Sequence, residues 1–149
     1  MADSSDVLLA LIREQRDQIR QIESQRAVLT NVVVLTVAAG LGFISQRGLT
    51  DTALTITIPM TLLGLYGAVA CLKYHERSRL HGAQAHQLRL LLMELHTDLN
   101  VEARWSGVFR DQRAAYPLLN RLRLYVIWVT LHLGICLVGL ALTVVVLVS

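Results

Sequence analysis

Five histidines are the side chains of this sequence best suited to chemistry, and their spacing limits what each can do. His132 stands alone in the stretch "YVIWVTLHLGICLVGLALTVVVLVS", residues 125–149, which carries no charged side chain. An unperturbed imidazole changes charge between roughly pH 5 and 8, so a histidine here suits an ion or proton path or a pH-sensitive gate. The plainer roles are a neutral ring held by an interhelical hydrogen bond, or a contact between identical histidines of an oligomer. In each case the ring faces protein or water and not lipid.

The other cluster is "KYHERSRLHGAQAHQLR", residues 73–89. On a helix, His75 and Arg79 are neighbours, as are Arg77 and His81, and Glu76 reaches Arg79. A metal needs two histidines on one helical face, three or four residues apart. His81 and His86 are five apart, and His75 and His81 six, so no metal site is expected. Ser78 has histidines three residues to either side, but a serine inside a regular helix is not an activated nucleophile. No enzymatic role and no cofactor are expected. A nucleotide second messenger held between subunits would want a phosphate-cradling glycine loop, which the segment lacks. What remains is a basic, membrane-proximal helix that binds lipid headgroups or an acidic protein partner, with Lys73, Arg77, Arg79, Arg89, Arg121 and Arg123 as the contact candidates.

The elements that carry these residues follow from hydropathy. The sequence is 54% hydrophobic and 17% charged, with a mean hydropathy of +0.49, outside the usual mix of a water-soluble domain. Apolar residues collect at 27–45, 53–72 and 124–148, each long enough for the roughly 30 Å hydrocarbon core of a bilayer. The reading is an all-α membrane protein. Three transmembrane helices join an N-terminal cytoplasmic amphipathic helix (1–26) and a middle cytoplasmic helical segment (74–123), with the membrane hairpin at 27–73 and the third span at 124–149. About 26 mostly polar residues precede the first apolar run, unlike a cleaved signal peptide. Cys71 and Cys136 lie inside spans, where packing and not redox chemistry is the expected role.

Of the 14 lysines and arginines, four precede the first span, nine fall in 73–123, and only Arg47 sits in the short turn at 46–52. The positive-inside rule then puts the N-terminus and the middle segment in the cytoplasm and the C-terminus outside an inner (plasma) membrane. Topology and contact with the lipid bilayer account for the net charge of +3; no nucleic-acid-binding pattern accompanies it.

Periodicity adds detail. Leu8, Ile12, Gln15, Ile19 and Ile22 recur at spacings of four and three, the seam of a coiled coil or of an amphipathic helix, with Ser5 or Asp6 as its cap. In the middle segment Leu80, Ala83, Gln87, Leu91 and Leu95 form an apolar stripe, with breaks expected near 100–105 and at Pro117. Pro59 should disturb the second span, with Thr55 placed to serve the freed carbonyl. Because helices in lipid associate by close backbone approach and hydrogen bonds, small and polar residues mark contact faces. The stripes are Asn31, Leu35, Ala38, Gly42 and Ser45; Thr57, Thr61, Gly64, Ala68 and Cys71; and Tyr125, Trp128, His132, Cys136, Gly139 and Thr143. Tyr66 lies at the depth of His132 on antiparallel counting, with Thr36 or Asn31 nearby, so these are its expected partners. Three such faces are more than one narrow bundle buries, and a homo-oligomer is expected.

A polar N-terminal helix, the hairpin "TNVVVLTVAAGLGFISQRGLTDTALTITIPMTLLGLYGAVACLKY" and the following "YHERSRLHGAQAHQLRLLL" resemble the SLATT class of two-span bacterial proteins over residues 5–100. The resemblance implies a membrane effector of conflict and antiphage systems that forms oligomeric pores. The third span lies outside it. Two functional readings follow: an oligomer that alters membrane permeability, or a non-conducting anchor whose cytoplasmic helices bind a partner enzyme or sensor subunit.

Overall fold

The computed structural model describes residues 3–97, 101–117 and 119–148, and every regular element among them is helical. The elements are α1 (Ser4–Arg47), α2 (Leu54–Leu95), α3 (Val101–Ala115) and α4 (Leu124–Val148), with one-turn 3-10 segments at Asp51–Ala53 and Leu119–Arg121. α1, α2 (with the 3-10 turn before it) and α4 are each long and apolar enough to cross a membrane. The polar N-terminal helix and the first apolar run form one uninterrupted α1, and α2 likewise continues from its apolar half through residue 95.

Local chemistry explains the ends. α1 starts two or three residues earlier than Ser5 or Asp6 would cap it, because the Asp3 carbonyl accepts from the amides of Asp6 and Val7 at 3.0 and 3.2 Å. It stops at Gly48, whose φ of 81° is the left-handed conformation that favours glycine, and the Gly48 amide donates to the Ile44 carbonyl at 2.8 Å. A threonine cluster then turns the chain: the Thr50 and Thr52 hydroxyls share a hydrogen bond, and Thr55 donates to the Thr52 carbonyl at 2.7 Å. Thr55 therefore serves the turn, not the carbonyl freed by Pro59. The first expected break is displaced: α2 ends at Leu95 and residues 101–105 are already helical, with 98–100 outside the described residues. The second falls where expected, after Ala115 and before Pro117.

The chain divides into two compact units, one of residues 1–22 and 76–123, the other of 23–75 and 124–149. In the first, the seam of α1 is turned inward. Ile12 and Ile22 are buried, and Gln15 Oε1 lies 2.7 Å from His81 Nδ1 on α2. The seam that suggested a coiled coil is thus covered by the chain itself. On α2 the buried position is Ala85, flanked by half-buried Ser78, His81 and Leu88; Leu80, Ala83, Gln87, Leu91 and Leu95, the stripe expected to pack, are exposed.

The second unit is a three-helix assembly with one consistent register. α2 and α4 are antiparallel: Thr61 meets Gly139, Gly64 meets Cys136, Gly67 meets His132, and the His75 and Tyr125 rings stack at 4.0 Å. α1 runs parallel to α4, with Thr30 on His132, Val33 clustered with Ile135, and Ile44 with Val146. α1 and α2 meet through Val37 with Met60 and Gly40 with Ile56, and Ile44 packs with Ala53 of the 3-10 turn that precedes α2.

Candidate functional site

The site is built around His132, which is fully buried. α4 presents the ring inward because His132 shares one face with Gly139 and Val146, seven and fourteen residues on, also buried. α1 supplies Thr30, itself 3% exposed, whose Oγ1 lies 3.2 Å from His132 Nε2. α2 supplies a notch. A Cβ added at Gly67 would stand 2.2 Å from Nδ1 and 2.6 Å from Cε1, so only a glycine lets the imidazole lie against this backbone. Nδ1 has no hydrogen-bond partner among the described residues. Against an α-carbon, which offers at most a weak C–H donor, the lone pair fits and an N–H does not. Nε2 then carries the proton and donates to the Thr30 hydroxyl.

Two more glycines continue the α2–α4 contact. A Cβ at Gly64 would fall 2.4 Å from the Cys136 amide nitrogen, and one at Gly139 would fall 2.6 Å from Thr61 Oγ1. Here the backbones touch directly. The buried Thr57 hydroxyl of α2 has no hydrogen-bond partner among the described residues, whereas two other hydroxyls are bonded within their own helices: Thr61 donates to the Thr57 carbonyl and Thr143 to the Gly139 carbonyl, at 2.9 and 2.8 Å. Each satisfies a polar group without needing a neighbour, at the size of a small packing residue. One turn before His132, the Arg26 guanidinium lies over the Trp128 ring, 5.4 Å from its centroid, an interaction worth about 0.5–2 kcal/mol depending on desolvation.

Of the sequence candidates, Thr61, Gly64, His132, Cys136 and Gly139 come together on the α2–α4 contact, and Thr57, one turn before Thr61 on α2, is fully buried, as is His132. Asn31 and Tyr66 do not. Both are exposed, Tyr66 at 61%, and the partner of His132 is Thr30, one residue before Asn31. The whole expected stripe of the first span, Asn31, Leu35, Ala38, Gly42 and Ser45, is exposed, while Thr30, Val33, Val37 and Ile44 are buried. Smallness misplaced the inward face of α1. The usable signal was the phase of its N-terminal seam: Ile12, Ile19 and Ile22 continue at helical spacing into Arg26, Thr30, Val33, Val37, Gly40 and Ile44. Sequence reasoning also missed Gly67 and the His75–Tyr125 and Arg26–Trp128 pairs.

Among the basic candidates, Lys73, Arg77, Arg79, Arg121 and Arg123 are exposed. Arg89 is half-buried, its guanidinium 4.7 Å from the centroid of the Trp105 ring. No cluster of three or more potential metal ligands occurs among the described residues.

Fold and site together define an all-helical protein with three helices suited to a membrane and a histidine-centred contact between them. No family model, no curated protein and no solved structure matches the chain.

Proposed function

We propose that the chain is a small membrane protein that assembles with copies of itself and alters membrane permeability, with its N-terminus and residues 74–123 cytoplasmic and its C-terminus outside. The observation that carries this reading is the exposed face of α1. Asn31, Ala38, Gly42 and Ser45 lie in the bilayer-suited part of the helix and are not covered by the chain's own packing. An amide facing lipid has no hydrogen-bond partner, and small residues facing lipid forgo the close approach they permit. A second copy supplies both. The exposed Leu80, Leu91 and Leu95 on α2 favour the same conclusion, since they are 11 and four residues apart, share one side of the helix, and leucines gathered on one exposed side are a contact surface. Because His132 is enclosed by three helices of one chain, a conducting path in this reading runs between copies, and His132 holds the wall together.

The test is the size of the protein in mild detergent together with ion flux from proteoliposomes. Wild type is expected to be oligomeric and leaky. Asn31→Leu and Gly42→Leu should reduce both while leaving Cys71 as protected from thiol reagents as in wild type. A monomeric wild type, or tight vesicles at all protein densities, overturns the proposal. Flux through the assembly should also be measured between about pH 5 and 8 in wild type and His132→Ala, which separates a titrating gate from a packing residue.

The anchor reading has its own support in α3. Val108 and Phe109 are 63% and 56% exposed on a helix with Arg110 and Arg113 elsewhere on its surface. Harmless expression of the chain alone, with recovery of a bound cytoplasmic protein that Phe109→Ser releases, is the result that favours it.

A further inference from the structure

The unit formed by residues 1–22 and 76–123 holds a cleft of about 490 Å³ between α1, α2 and α3. Its floor is aliphatic, built from Leu9 and Ile12 of α1 and Leu92 and Met93 of α2. Its charged lining is cationic: Arg13 and Arg16 enter from α1 and Arg89 from α2, beside Ser5 and His96, and no carboxylate occurs among the described lining residues. No ion pair among the described residues engages these three arginines. A second cleft of about 340 Å³ shares Arg89, Met93, Val101 and Trp105, so the Arg89–Trp105 pair forms a partition with apolar space on both sides.

We propose that this cleft binds a single-chain amphiphile with an anionic head, the acyl chain lying on the leucine and methionine floor and the head between Arg13, Arg16 and Arg89. The volume lies within the roughly 300–1,000 Å³ of small-molecule sites, and a mostly apolar lining with a few convergent charges is their usual chemistry. Guanidinium groups pair with carboxylate or phosphate in fork geometry, so either head fits. The lining argues against a nucleotide: it has no glycine loop to hold phosphates, and the Ser5 hydroxyl at the rim is spent on His96 Nε2 at 3.0 Å. This site lies outside the histidine-centred contact and does not depend on permeability.

The experiment uses the full chain in nanodiscs of neutral phosphatidylcholine, labelled with a palmitate that carries a photoreactive diazirine, and maps the adducts by mass spectrometry. Saturable labelling is expected in peptides containing Leu9 to Arg16 and Arg89 to Met93. Unlabelled palmitate or lysophosphatidate should compete, the stronger of the two identifying the head; hexadecanol and hexadecyltrimethylammonium should not. Arg13→Gln, at an exposed position, should lower the saturable labelling about fivefold without disturbing the fold, and Arg89→Gln at least as much. Labelling that does not saturate at these peptides, or equal competition by hexadecanol, overturns the proposal.

Discussion

Gly64→Ala adds one methyl group where two helix backbones touch. The added Cβ would stand 2.4 Å from the Cys136 nitrogen, 2.7 Å from its Cα and 2.9 Å from its Cβ, whereas ordinary contacts begin at 3.4 Å. Two of the three colliding atoms are backbone and cannot swing aside, so α2 and α4 must part by the difference, 3.4 minus 2.4, about 1 Å. A gap of that size forfeits a quarter to a half of each neighbouring dispersion contact, and the adjoining Gly67–His132 and Gly139–Thr61 contacts lie on the same interface. Overpacking of this kind costs about 1–3 kcal/mol, against which alanine regains about 0.5–1 kcal/mol of helix preference. The net expectation is a loss near 1.3 kcal/mol, or about ninefold in the population of the opened contact. Cys71 reports it, because its side chain is fully buried on the same helix and reacts with a maleimide only when the bundle opens. In a Cys136→Ala background, which leaves the backbone collision in place, Gly64→Ala should label at Cys71 about ninefold faster than its parent. Gly134→Ala, with no atom within 4 Å of the added Cβ, is the control and should label no faster than the parent. Equal rates for the two alanine variants would refute the close α2–α4 contact.

Three further outcomes can be measured by thermal unfolding in detergent. Thr30→Val removes the only described partner of His132 and should cost about 1–3 kcal/mol, whereas Thr30→Ser retains the hydroxyl and should cost clearly less; equal melting of the two would show that the hydrogen bond contributes nothing. Gly139→Ala should destabilise as Gly64→Ala does, since its Cβ would meet the Thr61 nitrogen at 2.8 Å, while Gly42→Ala, in open space, should leave the fold of the chain unchanged. Gly48→Ala should cost about 1–2 kcal/mol at a φ of 81°, and Gly48→Asn less; a melt unchanged by alanine would contradict the left-handed turn.

The apolar halves of the three long helices and the contact faces of α2 and α4 were legible in the sequence, because glycine, threonine and cysteine at alternating spacings of four and three have few uses other than close packing in an apolar helix. The α1 face was not legible by the same rule. Its inward residues are Val33, Val37 and Ile44, indistinguishable by type from the exposed Val32 and Val34, so composition carries no phase there. Phase is carried instead by continuity: a helix of 44 residues that turns Ile12 and Ile22 inward at one end keeps a related face inward further on. The same holds for α2, where Ala85 follows the phase of Ala68 and Cys71, and the stripe at Leu80, Leu91 and Leu95 falls on the opposite side. Gly67 was hidden because its role depends on which ring arrives from α4, a fact of register and not of local pattern.

Register is what His132 supplies. The apolar contacts of α1 with α4, Val33 and Val37 among Ile135 and Leu142, would survive a slip of one turn almost unchanged, since the side chains exchanged are all aliphatic and lipid imposes no penalty for exposing them. The polar pair would not survive it. One turn is about 5.4 Å, which carries Thr30 Oγ1 beyond hydrogen-bond reach of Nε2 and leaves both ring nitrogens unpaired in an apolar interior. On α2 a slip of α4 toward Cys71 drives the imidazole from the Gly67 notch onto a side chain, whereas a slip the other way brings it to Gly64, where the lost Thr30 hydrogen bond is what opposes the move. A hydroxyl on one helix and a missing side chain on another thus read a single ring on the third, and together they select one alignment out of several that apolar packing alone would tolerate.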